Sequence, residues 1–190
     1  QGQFRKSGMP YTEHPLEVAK ILADLQLNTA TVLAGLLHDV VEDTPHTLTE
    51  LADMFGEETA FMVDAVTKIS AVQKQKNKDA EKAETYRKLV NAMAKDPRVL
   101  LIKIADRLHN MRTMRYMKPE KRQSIAQETL DIYVPLTHRF GLYKFKSELE
   151  DLSFKYVNPE KKKKIVDALI EKKAIREAYV KSVIGPLQFK

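Results

Sequence analysis

Apolar residues recur along most of the chain at helical intervals, and no alternating strand pattern persists. Leu16, Ala19, Ile21, Leu22 and Leu25 predict a first helix with one buried face. Pro15 suits a first helical turn, which places His14 at or near the helix start. Asn28 is positioned to cap the next helix, TATVLAGLLHDV, whose apolar face is nearly continuous and predicts a central position. In TLTELADMFG, Thr47 and Glu50 have capping-box spacing, and Gly56 is a stop. GEETAFMVDAVTKI reads as a further helix.

The stretch SAVQKQKNKDAEKAE, residues 70–84, has no apolar stripe and reads as a mobile connection or an exposed helix extension. Helical spacing resumes at TYRKLVNAMAKD and breaks at Asp96-Pro97. RVLLIKIADRLHNMRTM is the second strongly apolar helix, and later helices are expected near Pro119, Pro135, Lys144 and Pro159. The expected fold class is all-α, a helical bundle.

Composition narrows the chemistry. The 190 residues suit one domain, or one domain with an appendage, and bury roughly 70% of the unfolded surface without a staple. With no cysteine, disulfides, thiol catalysis and cysteine-ligated zinc are excluded, and a reducing cytoplasm is the expected setting. No apolar run is long enough to span a membrane, and no signal peptide is visible. The chain lacks an initiator Met and is expected to be cut from a longer protein. The net charge of +6 is uneven. Residues 151–190 hold 10 of the 32 basic and 5 of the 26 acidic residues, leaving 22 and 21 in residues 1–150. The lysines at 161–164 read as a solvated helix face, and direct nucleic-acid contact by this domain is the weaker expectation because no aromatic interleaving accompanies them.

Four groups carry candidate chemistry: His14, His38 with Asp39, Glu42 with Asp43, and Asp106. Two imidazoles and two carboxylates suit manganese, iron or zinc with positions open for water. An ion held there would make hydroxide available near neutral pH, and nearby carboxylates could orient the water or take its proton. A His-Asp pair alone is a weak signal. Its place in or just after the most apolar helix strengthens it, because burying Asp39 without a partner is costly. Asp106 repeats the anomaly inside VLLIKIADRL. A shared metal would compensate both carboxylates, and Arg107 is the alternative partner.

The segments GQFRKSGMPYTEHP, LAGLLHDVVEDT, IKIADRLHNMRT and YVPLTHRFGLYKFKSELEDLSFKYVNPE together resemble the hydrolase domain of the RelA/SpoT-homologue family, the enzymes that make and destroy (p)ppGpp. The blocks stand in the family's order, and the resemblance covers essentially the whole chain. It implies an all-helical HD-type fold with one Mn2+ on His14, His38, Asp39 and Asp106. It assigns Glu42 and Asp43 to the attacking water and the scissile phosphate. Arg5 matches the residue that packs on guanine, with Lys6 and Ser7 in the same loop; Asn110 and Thr113 match positions near the ribose and phosphates. Asn110 and Thr113 follow Asp106 by four and seven residues, which puts all three on one helix face. His109 and His138 read as structural and His46 as a loop residue, while Tyr11 and Tyr116 are possible pocket liners.

The resemblance further implies hydrolysis of the 3'-pyrophosphate of ppGpp or pppGpp to GDP or GTP. Both HD and ED are kept, which argues for a competent hydrolase over a degenerate one. Residues 1–157 are expected to form the hydrolase domain, and residues 158–190 a basic helical connection toward synthetase and C-terminal regulatory domains whose motifs are absent here. The rival readings are a non-catalytic nucleotide sensor, a hydrolase of another nucleotide such as NADPH, and RNA contact through the lysine run. The 70–84 segment is a candidate conformational switch.

Overall fold

The computed structural model describes residues 8, 10–70 and 78–187. These residues form helices and turns, with no β-strand element among them. The N-terminal half comprises α1 (Glu13–Asp24), α2 (Thr29–Leu37), the single turn α3 (Val40–Asp43), α4 (Leu48–Phe55), α5 (Glu57–Ser70) and α6 (Lys78–Lys95). The C-terminal half comprises α7 (Arg98–Thr113), α8 (Pro119–Glu128), α9 (Val134–Arg139), α10 (Tyr143–Val157) and α11 (Pro159–Leu187).

Helix α7 is the pillar of the bundle and packs against α1, α2, α5, α6 and α10. Val99, Leu100, Ile102, Ile104, Leu108 and Met111 are all buried along it. Burying such a helix on every side removes most of its apolar surface from water, at roughly 25 cal/mol per Å2. Any polar side chain it carries must then find an internal partner.

The expected punctuation is present. The Asn28 side chain accepts from the Thr31 N–H at 3.1 Å. Thr47 and Glu50 form the reciprocal capping box, and Gly56 closes α4 with φ of 89°, a conformation natural only to glycine. Gly35 is needed for a different reason. A Cβ there would stand 2.2 Å from Leu22 Cδ1, so α1 and α2 approach closely only because the side chain is missing.

One expectation is corrected. TATVLAGLLHDV is not one helix: α2 stops at Leu37, and Asp39, with φ −100° and ψ −5°, starts the separate turn α3. In the polar stretch 70–84, Ser70 ends α5 and residues 78–84 belong to α6, in line with the helix-extension alternative; residues 71–77 lie outside the described part. Between α8 and α9, Thr129–Tyr133 form a π-helical turn. Helix α11 projects from α10, tied by Lys162 to Asp151 at 2.7 Å, with Ile165, Leu169, Ile170 and Tyr179 exposed. Lys161, Lys163 and Lys164 are also exposed, as expected of a solvated face.

Candidate metal centre

Three elements meet at one point. His14 comes from the first turn of α1, His38 from the end of α2, and Asp106 from the middle of α7. One ligand atom from each lies within 4.8 Å of the others. His14 Nε2 is 3.2 Å from Asp106 Oδ1, and His38 Nε2 is 3.8 Å from the same oxygen. Asp39 borders the group: its Oδ1 is 3.2 Å from His38 Nε2, and its Oδ2 is 3.9 Å from His14 Nε2.

The donor set fits a divalent cation. His38 Nδ1 lies 2.7 Å from the Gly35 carbonyl oxygen, so that nitrogen carries the proton and donates. In the neutral ring Nε2 is then the lone pair; it is buried, makes no hydrogen bond, and faces the two carboxylates. Nitrogen and oxygen ligands of this kind suit zinc, iron and manganese alike.

The electrostatics are set by burial and by the cluster itself. Burial works against the Asp106 charge, but Lys103, His14 and His38 outweigh it and hold the carboxyl well below its usual range. Burial likewise opposes the charge on Asp39, but His38 and the Tyr11 hydroxyl favour it and hold the carboxyl below its usual range. For His38, burial favours the neutral ring, yet Asp39 and Asp106 raise its pKa above 6.5. A cation entering here therefore replaces a proton, as metal binding to imidazole requires.

Asp106 is held by residues of its own helix. Lys103 Nζ lies 2.9 Å from Oδ2 and 3.1 Å from Ser70 Oγ, and Asn110 Nδ2 donates to Oδ1 at 2.6 Å. Arg107, the alternative partner, instead clasps Glu128 at 2.9 and 3.2 Å and lies 4.3 Å from the centre of the Tyr133 ring. Helix geometry contained this signal: position i−3 shares the face of Asp106, while i+1 points away. The π-helical turn carries Tyr133 to its buried place beneath Arg107.

The other expected site residues are distributed as follows. Glu42 is half-buried and Asp43 exposed, both on α3 beside Asp39. Tyr11 donates its hydroxyl to Asp39 Oδ2 at 2.8 Å, so it touches the metal site directly. The negative field of Asp39 and Asp43 adds to burial in keeping that hydroxyl protonated. Tyr116 is exposed beyond α7, and Thr113 donates back to the His109 carbonyl at 3.0 Å. Arg5, Lys6 and Ser7 lie outside the described residues. Two contributors, Lys103 and His109, were missed or read as plain structure. His109 Nδ1 sits 2.6 Å from His14 Nδ1.

Residues 1–143 match the family profile described as the HD domain. The chain belongs to the HD-domain family. A divalent metal is implied for an HD domain, and among the described residues His14, His38 and Asp106 form a group that can hold one. The chain is 49% identical over 192 residues to a protein of Myxococcus xanthus named GTP pyrophosphokinase, covering 100% of this chain and 25% of that one. It is 42% identical over 188 residues to the bifunctional (p)ppGpp synthase/hydrolase SpoT of Escherichia coli, covering 99% of this chain and 27% of that one. The resemblance to RelA/SpoT homologues drawn from the motifs thus extends along the chain, which spans about a quarter of the length of the relatives it matches. A solved structure, described as a metazoan ortholog of SpoT that hydrolyses ppGpp, superposes with a TM-score of 0.56 at 26% identity. The superposition covers 83% of this chain and 88% of that one.

Proposed function

We propose that this HD domain is a divalent-metal-dependent phosphohydrolase that removes the 3'-pyrophosphate of ppGpp or pppGpp, yielding GDP or GTP and pyrophosphate. The observation that carries the reading is the convergence of His14, His38 and Asp106, one ligand atom of each within 4.8 Å of the others, in a domain of this family. Relatives named as (p)ppGpp hydrolases, and the described activity of the metazoan ortholog, support the substrate. Mn2+ is the proposed ion, with Asp39 as a fourth ligand. Bound there, it would polarise a phosphoryl oxygen and lower the pKa of a water molecule.

In this reading the protein's own groups do the remaining work. Glu42 and Asp43 stand one helical turn from Asp39, where they would orient the attacking water and accept its proton. Tyr11 holds Asp39 through Oδ2. Arg5, with Lys6 and Ser7, would grip the guanine end, and Asn110 and Thr113 the ribose and phosphates. The substrate is strongly anionic while residues 1–150 are nearly neutral, so local positive charge from this loop and the ion is needed. We further infer that the hydrolase unit ends at residue 157, that α11 connects it to synthetase and regulatory domains, and that it works in the cytoplasm. The cysteine-free composition supports that compartment, and no helix among the described residues is long and apolar enough to cross a membrane.

The test is pyrophosphate release from ppGpp after EDTA treatment, with and without added Mn2+. Release that requires Mn2+ and disappears in Asp39→Ala is expected. Metal-loaded, folded protein that binds ppGpp but releases nothing would replace the hydrolase reading with a sensor.

A further inference from the structure

We propose that His109 is a positioning residue that fixes the tautomer of His14, and thereby the direction in which His14 offers its lone pair. This rests on the reading of the site as a metal centre.

The two rings are buried, with their Nδ1 atoms 2.6 Å apart and ring centres 4.8 Å apart. Such a nitrogen–nitrogen contact needs one proton between the two atoms, since two lone pairs or two N–H groups would repel. The far nitrogen of His14, Nε2, faces Asp106 Oδ1 at 3.2 Å and Asp39 Oδ2 at 3.9 Å. A cation among those oxygens requires a bare Nε2. A neutral imidazole then carries its proton on Nδ1, and the only arrangement that satisfies the short contact has His14 Nδ1 donating to His109 Nδ1.

The same logic governs His38, whose Nδ1 faces the Gly35 carbonyl at 2.7 Å while Nε2 faces the carboxylates. Both histidines are thus anchored through Nδ1 and present Nε2. They differ in the anchor: a backbone carbonyl for one, an imidazole for the other. His109 lies three residues after Asp106, on the same side of α7. One helix therefore supplies both a candidate ligand and the group that orients another. Outer partners of this kind hold the ligand ring in place and raise its basicity.

The experiment measures Mn2+ affinity by electron paramagnetic resonance of the free ion, with urea denaturation of the metal-free proteins alongside. The variants are His109→Asn, His109→Gln and His109→Leu. Asn places an oxygen acceptor near the position of Nδ1, Gln extends past it, and Leu has none. Gln and Leu are expected to weaken Mn2+ binding by roughly 10–100-fold, while Asn stays close to wild type. A role in packing alone would make affinity follow metal-free stability rather than acceptor position. Unchanged affinity in Gln and Leu, or equal loss in Asn and Gln, overturns the proposal. Should Leu fail to fold, the comparison of Asn with Gln decides. Wild-type protein that binds no Mn2+ would overturn the metal reading itself, and this proposal with it.

Discussion

Lys103 Nζ lies 2.9 Å from Asp106 Oδ2, and both residues are buried within the most enclosed helix of the bundle. The pair leaves Oδ1 directed at His14 and His38. A carboxylate needed for a cation is thus kept charged in the core by an ammonium on its other side. Burial disfavours the Lys103 charge, but the field of Asp106 outweighs it and raises the pKa above the ordinary lysine value.

Lys103→Met should therefore cost the metal-free protein about 3–5 kcal/mol, because it strands a buried carboxylate. Lys103→Met with Asp106→Asn should recover part of that loss, since no charge is stranded. Urea denaturation of the two single variants and the double variant checks this; additive losses would mean the pair is not coupled.

The metal-free protein should show two opposite pH dependences. Asp106 is held well below 3.8, so its contribution is present above the carboxylate range and is lost as pH falls through the lowered value. His38 is raised above 6.5, so its contribution is full below 6.5 and lost as pH rises through the raised value. Urea midpoints should fall on the acid side for wild type, and His38→Gln should flatten the fall on the alkaline side. Mn2+ affinity should drop as pH is lowered through neutrality, because the ion displaces the His38 proton.

Gly35→Ala should destabilise the protein by about 1–3 kcal/mol through overpacking. The added methyl meets Leu22, which is fully buried and cannot move aside cheaply. Since the Gly35 carbonyl also anchors His38, Mn2+ affinity should fall too. Thermal melts and metal titrations of the same preparation measure both effects.

Arg107→Lys should lower stability by about 1.5–3 kcal/mol, because Lys cannot reproduce the two-pronged contact with Glu128. Mn2+ affinity should stay unchanged. A large loss of affinity in a folded variant would return Arg107 to the role of partner for Asp106.

Tyr11→Phe removes only the hydroxyl that holds Asp39 Oδ2. Turnover or metal affinity should fall by roughly 10–100-fold, the usual effect of losing an outer partner of a metal ligand. Circular dichroism should remain that of the wild type.

The features that were legible in the chain are local ones. The Asn28 cap, the Thr47–Glu50 box and the stop at Gly56 each depend on atoms a few residues apart, so their spacing alone specifies them. The apolar faces foretold a helical bundle but put α2 at its centre, whereas packing makes α7 the central helix; the anomaly of Asp39 and Asp106 in apolar surroundings marked the site. The break of α2 at His38 left no comparable mark, because HDVVED continues a helical pattern without a glycine or proline before Pro45.

Other relationships were decided by tertiary packing. His14 and His109 are 95 residues apart in sequence, and nothing in either neighbourhood encodes their contact. Tyr11 reaches Asp39 across 28 residues, and Lys103 reaches Ser70 across 33. Their contacts depend on the rotation and crossing of α1, α2, α5 and α7. Those are set by how whole apolar faces interlock, a property of the assembled core that no short stretch of sequence carries.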